Sequence, residues 1–176
     1  DEAVSLVINE GGSIQNGPMD LLNRGRGALV RDSLGAQLLL LHATDGDPVD
    51  MEPVIGSWLW HELWSNETEE SLAFYQKLVG YDFDGDKKDY LILLKNEQWR
   101  AGIRHSSDPE LEMRWVPVVR VADTEDIANK SKELGGKVLI EPQLSASGGS
   151  IALLADPSDA LFIIQRWSAN TALQEK

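Results

Sequence analysis

Near the middle of the chain, apolar residues first alternate with small or polar ones and then recur at helical spacing. Bulky residues alternate with small or polar ones from Trp58 to Ser65, which predicts a strand. Asn66 and Glu69 form a capping-box pattern, and the apolar residues after it keep helical spacing as far as Gly80. Two further strands are predicted at Asp89–Leu94 and Arg100–His105.

The same order of elements returns in the second half of the chain. A strand is predicted from Trp115 to Val121, and Asp123 with Asp126 three positions later opens a helix that ends at Gly135-Gly136. Three strand-like stretches follow at Lys137–Ile140, Ser150–Ala155 and Leu161–Trp167. A β-α-β-β-β module is therefore predicted twice between residues 57 and 168.

The first forty residues repeat the end of this module. When Gly12 is placed on Gly136, an offset of 124, eight residues coincide without gaps. These are Gly11, Gly12, Pro18, Gly25, Ala28, Leu29, Asp32 and Ala36. Val4, Val7 and Ile8 keep helical spacing before the Gly-Gly stop, and residues 37–41 repeat the last strand. By this alignment the first strand of the module would lie before Asp1.

Four segments follow from the repeat. We expect residues 1–43 to be the C-terminal half of a first domain, 44–56 a linker, 57–168 a complete domain and 169–176 a tail. The chain begins without Met or an apolar leader, so we expect a processed or trimmed product.

Composition and charge limit the kinds of molecule that the protein can bind. The formal charge of −13 and the scattered basic residues argue against nucleic acid, and the apolar runs are too short to span a membrane. The chain has no cysteine, which excludes disulfides and thiolate sites and leaves a cytoplasmic or periplasmic location open. The acidic stretch Asp82–Asp89 is interpreted as a solvated loop.

These motifs resemble a known superfamily. Trp60-His61-Glu62-Leu63, then Phe74-Tyr75 and Gly80-Tyr81, resemble the opening module of glyoxalase-like proteins of the vicinal-oxygen-chelate superfamily, particularly the tandem 27 kDa antigen type. The closing module is similar at Asp123, Gly135-Gly136, Pro142, Gly148-Gly149 and Asp156-Pro157. The resemblance implies an α+β fold, in which paired β-α-β-β-β modules form a cup-shaped mixed sheet, with an extra partial module at the N-terminus.

The resemblance also implies where a metal would bind. In metal-dependent members each module supplies one ligand from its first strand and one from its last. Carried over by motif, these positions are Trp60, Val116, Ile163 and a residue near Gly102 or Ile103, with Leu39 as the equivalent in the partial module. None of these side chains can coordinate a divalent cation, so we expect no metal and no cofactor.

His61 lies one position from the first of these sites. Neighbouring side chains in a strand point to opposite faces, so if Trp60 faces the cup, His61 faces the helices. We interpret His61 as a packed or partly exposed histidine and not as a metal ligand.

Alternation predicts the residues that face the cup. Glu62 could act as an acid or base, and Arg120 could hold a ligand carboxylate or neutralise Glu62. The alternative is an internal Glu-Arg pair that bridges strands and binds no ligand. The predicted ligand-binding set is Trp60, Glu62, Trp64, Val118, Arg120, Ile163 and Gln165.

The sequence leaves three functions open. The first is a small-molecule-binding protein of the glyoxalase and bleomycin-resistance class that works without a metal. The second is a lyase or isomerase of the glyoxalase type, with Glu62 as base or with a relocated metal site. The third is an assembly role, in which the partial module pairs its sheet edge with a second copy to give a homodimer.

Overall fold

The structure, a computed structural model, describes residues 1–109, 111, 113–145 and 149–167. Contacts divide them into two units. Unit 1 is Asp1–Met51 with Glu62–Trp115, and unit 2 is Glu52–His61 with the described residues from Val116 onward. Gly148 and the predicted tail lie outside the described residues. In the part of the chain that is described, no helix is both long and apolar enough to cross a membrane.

Residues 1–43 of unit 1 form a helix and a three-stranded sheet. The elements are α1 (Glu2–Asn9), β1 (Ser13–Asp20), a short 3-10 helix (Leu22–Arg24), β2 (Gly25–Arg31) and β3 (Gln37–Ala43). The strands pair antiparallel in the order β1-β2-β3. Val4 and Val7, which set the helical spacing in the sequence, are buried. This segment therefore contains the α-β-β-β part of a module, as predicted.

The remainder of unit 1 is a mixed sheet with one helix. Its elements are β4 (Trp58–Ser65, in unit 1 from Glu62), α2 (Thr68–Val79), β5 (Asp82–Asp86), β6 (Tyr90–Lys95) and β7 (Gln98–His105). The strand order is β5-β6-β7-β4, antiparallel except for the parallel pair β7-β4. Leu63, Leu91 and Ile103 pack with residues of α2 in the core. Alternation then places Glu62, Trp64, Tyr90 and Arg104 on the other face.

Two local predictions in this part were wrong. The acidic stretch after α2 is not only a loop, because Asp82–Asp86 pairs with β6 as an edge strand whose residues are all exposed. Carboxylates on an exposed edge oppose pairing with other chains, which is why an acidic segment can form a strand there. The capping box is also wrong: α2 begins after Glu67, and Ser65 Oγ accepts from the Glu67 N–H.

Unit 2 repeats the arrangement. Its elements are β8 (Arg114–Arg120, in unit 2 from Val116), α3 (Thr124–Glu133), β9 (Lys137–Leu144), β10 (Ser150–Ala155) and β11 (Leu161–Arg166). The order is β8-β11-β10-β9, and only β8-β11 is parallel. The predicted Asp123 cap is confirmed, since its side chain accepts from the N–H groups of Glu125 and Asp126. The predicted α+β class with mixed strand pairing is confirmed in both units.

The offset of 124 also holds for the geometry. The pair Ser13↔Arg31 between β1 and β2 corresponds to Lys137↔Ala155 between β9 and β10, and the remaining pairs of these strands follow the same shift. Gly11 and Gly135 both adopt positive φ, at 87° and 84°, directly after their helices. The two α-β-β-β segments thus share the register of their first two strands, which supports the duplication expected from the sequence.

Candidate functional site

Glu62 lies at the centre of a polar cluster on the sheet of unit 1. Its side chain is only 2% exposed, yet both carboxylate oxygens have partners. Arg104 donates from Nε to Oε2 at 2.8 Å and from Nη2 to Oε1 at 3.2 Å, and the Tyr90 hydroxyl donates to Oε1 at 2.8 Å. Three hydrogen bonds hold the carboxylate and fix its orientation. In this geometry Glu62 positions the Arg104 guanidinium.

Arg104 connects this cluster to two aromatic rings. Its guanidinium carbon lies 4.6 Å from the centre of the Tyr90 ring and 5.7 Å from that of Trp64. Burial disfavours the charged form of Arg104, but the adjacent Glu62 carboxylate outweighs it and holds the pKa of Arg104 above its ordinary value. The side chain is 20% exposed, and its Nη1 donates to none of the described residues. One fixed, charged donor is therefore left for another molecule.

Gly102 makes room for the Tyr90 ring. Gly102 pairs with Glu62 across β7 and β4, and with Ile92 across β7 and β6. A Cβ at this position would lie 2.5 Å from the Tyr90 hydroxyl and 3.0 Å from the ring carbon that bears it. The missing side chain is thus what allows Tyr90 to lie over β7 and reach Glu62.

The predicted residues of unit 2 share one face of their strands. Val118 pairs with Ile163 and Arg120 with Gln165 in the parallel ladder of β8 and β11, so the structure brings these four together. Val118, Ile163 and Gln165 are buried.

Arg120 is engaged within unit 2. Its Nη1 donates to Glu52 Oε1 at 3.0 Å and to the carbonyl oxygen of Pro53, and its guanidinium lies 5.3 Å from the Trp167 ring. The predicted pairing of Arg120 with Glu62 is wrong, because Arg120 pairs with Glu52 and the arginine beside Glu62 is Arg104. Alternation within a strand could not reveal this partner, because it depends on which strand lies next to β4.

The positions that the superfamily uses for a metal do not fit a metal here. Trp60, Val116 and Ile163 are buried and offer no oxygen, imidazole or thiolate donor, and the fourth position falls on Gly102, which has no side chain, or on the buried, apolar Ile103. His61 is exposed as a residue, but the protein around its imidazole partly desolvates the ring, which lowers the pKa of His61. Within the described ranges no group of three or more His, Cys, Asp or Glu side chains could hold an ion.

Comparisons with known proteins agree with this fold. No family model matches the chain. The candidate glyoxylase CFP32 of Mycobacterium bovis is 27% identical over 168 residues, which cover 93% of this chain and 64% of CFP32. The chain thus spans just under two thirds of this relative's length.

Two solved structures have the same fold. The 2,3-dioxygenase LapB from Pseudomonas sp. KL28 gives a TM-score of 0.62 at 12% identity, over 95% of this chain and 67% of LapB. The Mn(II)-bound glyoxalase from Novosphingobium aromaticivorans gives 0.60 at 15% identity, over 94% and 58%. Together, the glyoxylase-named relative and these shared folds support the resemblance to glyoxalase-like proteins of the vicinal-oxygen-chelate superfamily that the motifs predicted.

Proposed function

We propose that this chain is a glyoxalase-like small-molecule-binding protein that binds its ligand on the sheet face of unit 1 without the superfamily metal. The binding group is the Arg104 guanidinium, held in place by Glu62 and Tyr90. Trp64 of the predicted set lies on the same strand face as Glu62, and Trp60 remains a predicted ligand-binding residue in unit 2. Val118, Arg120, Ile163 and Gln165 remain predicted ligand-binding residues on the corresponding strands of unit 2.

The observation that carries the proposal is that Nη1 of Arg104 donates to none of the described residues, while the guanidinium lies over the partly exposed Tyr90 ring. A guanidinium that is already oriented by an ion pair loses little side-chain entropy when it binds an oxygen acceptor. The partly exposed Tyr90 ring offers flat apolar surface on which a planar group can stack, whereas Trp64 is only 5% exposed and packs beneath the site. The ligand class that fits is a small planar molecule with a carboxylate or carbonyl oxygen.

The test is a fluorescence titration of the purified protein with benzoate and 2-hydroxybenzoate, and with cyclohexanecarboxylate as the non-planar comparison. The double variant Glu62→Leu/Arg104→Met removes the pair without leaving a buried charge alone. Arg100→Met is the matched control, because Arg100 lies on the same strand but pairs with Asp50. We expect the planar acids to bind wild type and Arg100→Met equally and the double variant at least tenfold more weakly. Equal affinity in all three proteins would refute the proposed site.

A second candidate is the assembly role, which the outer edge of β3 favours. In unit 2 the equivalent strand β11 pairs in parallel with β8. Among the described residues β3 pairs only with β2, and its Leu39 and Leu41 are exposed while the equivalent Ile163 and Gln165 are buried. An open apolar edge can pair with a strand of a second copy to form a homodimer. Sedimentation over a range of concentrations tests it: a dimer that Leu39→Lys dissociates supports this role, and a monomer throughout excludes it.

The lyase or isomerase alternative depends on Glu62 releasing one of its partners. If Glu62 abstracts a proton, conservative Glu62→Asp should lower turnover while Arg100→Met leaves it unchanged. Catalytic turnover of a hemithioacetal by the purified protein would favour this alternative over binding alone.

A further inference from the structure

The helix face of residues 1–43 is covered by α2 within unit 1. The Tyr75 hydroxyl donates to Asp32 Oδ2 at 2.8 Å and accepts from Trp115 Nε1 at 2.9 Å, and Lys77 pairs with Glu10 at 2.6 Å. Burial and the charge of Asp32 raise the pKa of Tyr75, so the hydroxyl keeps its proton and donates. The carboxylate of Asp32, which lies in the turn between β2 and β3, thus accepts a hydrogen bond from an aromatic hydroxyl of α2.

Unit 2 contains the same turn at the offset of 124. Asp32 Oδ1 accepts from the N–H groups of Leu34 and Ala36 at 3.0 and 2.8 Å. Asp156 Oδ1 accepts from those of Ser158 and Ala160 at 2.7 and 2.9 Å. The turns differ at the other oxygen, because Asp156 Oδ2 receives no hydrogen bond from any described residue.

The surfaces around the two turns differ in burial. Ala36 is fully buried, whereas the equivalent Ala160 is exposed. Leu134, the equivalent of Glu10, is 71% exposed. Beside it lies a cavity of about 240 Å³. The α3 face is defined here as Ile127, Lys130, Leu134, Asp156, Pro157 and Phe162, all of which line this cavity.

We propose that the α3 face docks the helix of a further β-α-β-β-β module, whose aromatic hydroxyl donates to Asp156 Oδ2 as Tyr75 does to Asp32. The source we assign is the longer polypeptide to which these modules belong. The curated relative is matched over only 64% of its length, so proteins of this type have room for one more module. On residues 1–43 the equivalent face, around Asp32 and Glu10, is covered by α2. The open α3 face is its counterpart in unit 2.

The chemistry of the α3 face specifies the docking helix. Backbone and side-chain hydrogen bonds from Ala160 and Ser158 hold the pKa of Asp156 below its ordinary value, so Oδ2 is an anionic acceptor that fits a tyrosine. Leu134 replaces Glu10, so the residue two positions after that tyrosine should be apolar where α2 has Lys77. The expected pattern on the docking helix is Tyr-x-apolar.

Cysteine labelling tests this docking, because the 176-residue chain has no cysteine of its own. Leu134→Cys is made in this chain and in the full translation product of its gene, with any added cysteine replaced by serine. Leu144→Cys is the matched control, because Leu144 is 88% exposed and does not line the cavity. Labelling rates with a maleimide are compared in all four proteins.

Docking predicts that the thiol introduced by Leu134→Cys reacts as fast as the control thiol in the 176-residue chain and at least tenfold more slowly in the full product. Equal rates in the two lengths would overturn the proposal, as would a full product no longer than this chain. Slow labelling that depends on the concentration of the 176-residue chain would also overturn it, since a second copy would then cover the face. Tyrosine-to-phenylalanine substitution on the docking helix should restore part of the rate.

Discussion

The carboxylate of Glu62 and the guanidinium of Arg104 form a bidentate ion pair, with contacts of 2.8 and 3.2 Å across the parallel pair β4 and β7. The buried end of the pair is Glu62, and the end that reaches the surface is Arg104. Fork-shaped pairing fixes the plane of the guanidinium as well as its position. The pair therefore sets the direction in which the remaining N–H groups of Arg104 point.

Breaking this pair from one side should cost more than removing both partners. Glu62→Ala leaves a half-buried guanidinium alone, and we expect it to lower the free energy of unfolding by about 3 kcal/mol. Glu62→Leu/Arg104→Met should recover at least half of that loss, because neither variant residue carries a charge. Urea unfolding followed by tryptophan fluorescence measures both. Additive losses in the double variant would mean that the pair contributes nothing specific.

Gly102→Ala should disturb the Tyr90 ring. The added Cβ would meet the ring and hydroxyl, so Tyr90 must move and weaken its bond to Glu62. We expect a loss of about 1 to 3 kcal/mol in stability, as for other overpacked sites. In a Tyr90→Leu background the same substitution should cost much less, because the ring is gone. An equal cost in both backgrounds would place the clash elsewhere.

Tyr75→Phe should destabilise unit 1 through two lost hydrogen bonds. Asp32 and the Trp115 indole would each lose a buried partner, which predicts about 2 kcal/mol in urea unfolding. Tyr81→Phe is the matched control, because the Tyr81 hydroxyl links no two elements by a hydrogen bond among the described residues. Its free energy of unfolding should stay within about 0.5 kcal/mol of the wild-type value. Similar losses for both variants would contradict the role given to Tyr75.

Asp156 should make part of the stability dependent on pH. Hydrogen bonds from Ala160 and Ser158 hold the pKa of its carboxyl below the ordinary value of 3.8. A group whose pKa is lower in the folded state stabilises the fold above its unfolded pKa and loses this contribution as pH falls through the folded pKa. Asp156→Asn should therefore be less stable than wild type at pH ~6, with the gap shrinking below pH ~4. A gap that is constant over this range of pH would contradict the assignment.

Much of the fold could be predicted from periodicity and repetition. The strand Trp58–Ser65 has the predicted bounds, and Asp123 caps its helix as predicted, because alternation and capping are local properties. The repeat at an offset of 124 led to the α-β-β-β character of residues 1–43. The edge strand Asp82–Asp86 was missed because its pairing depends on β6, which local composition does not report.

The site was less predictable for the same reason. Alternation identified Glu62 and Trp64 as neighbours on one face, but it could not say which strand lies beside them. The Arg104 and Tyr90 partners depend on the register of β7 with β4 and of β6 with β7. The sequence placed a family ligand position near Gly102 or Ile103, and the structure shows that the missing side chain of Gly102 admits the Tyr90 ring.

The most direct test of metal-free binding on unit 1 is a titration with 2-hydroxybenzoate before and after dialysis against a chelator, with the metal content of each sample measured. The proposed site predicts the same dissociation constant in both samples and a metal content far below one ion per chain. Loss of binding after dialysis, restored by adding Mn(II) in stoichiometric amount, would contradict the account and point to a metal held by an unrecognised set of ligands.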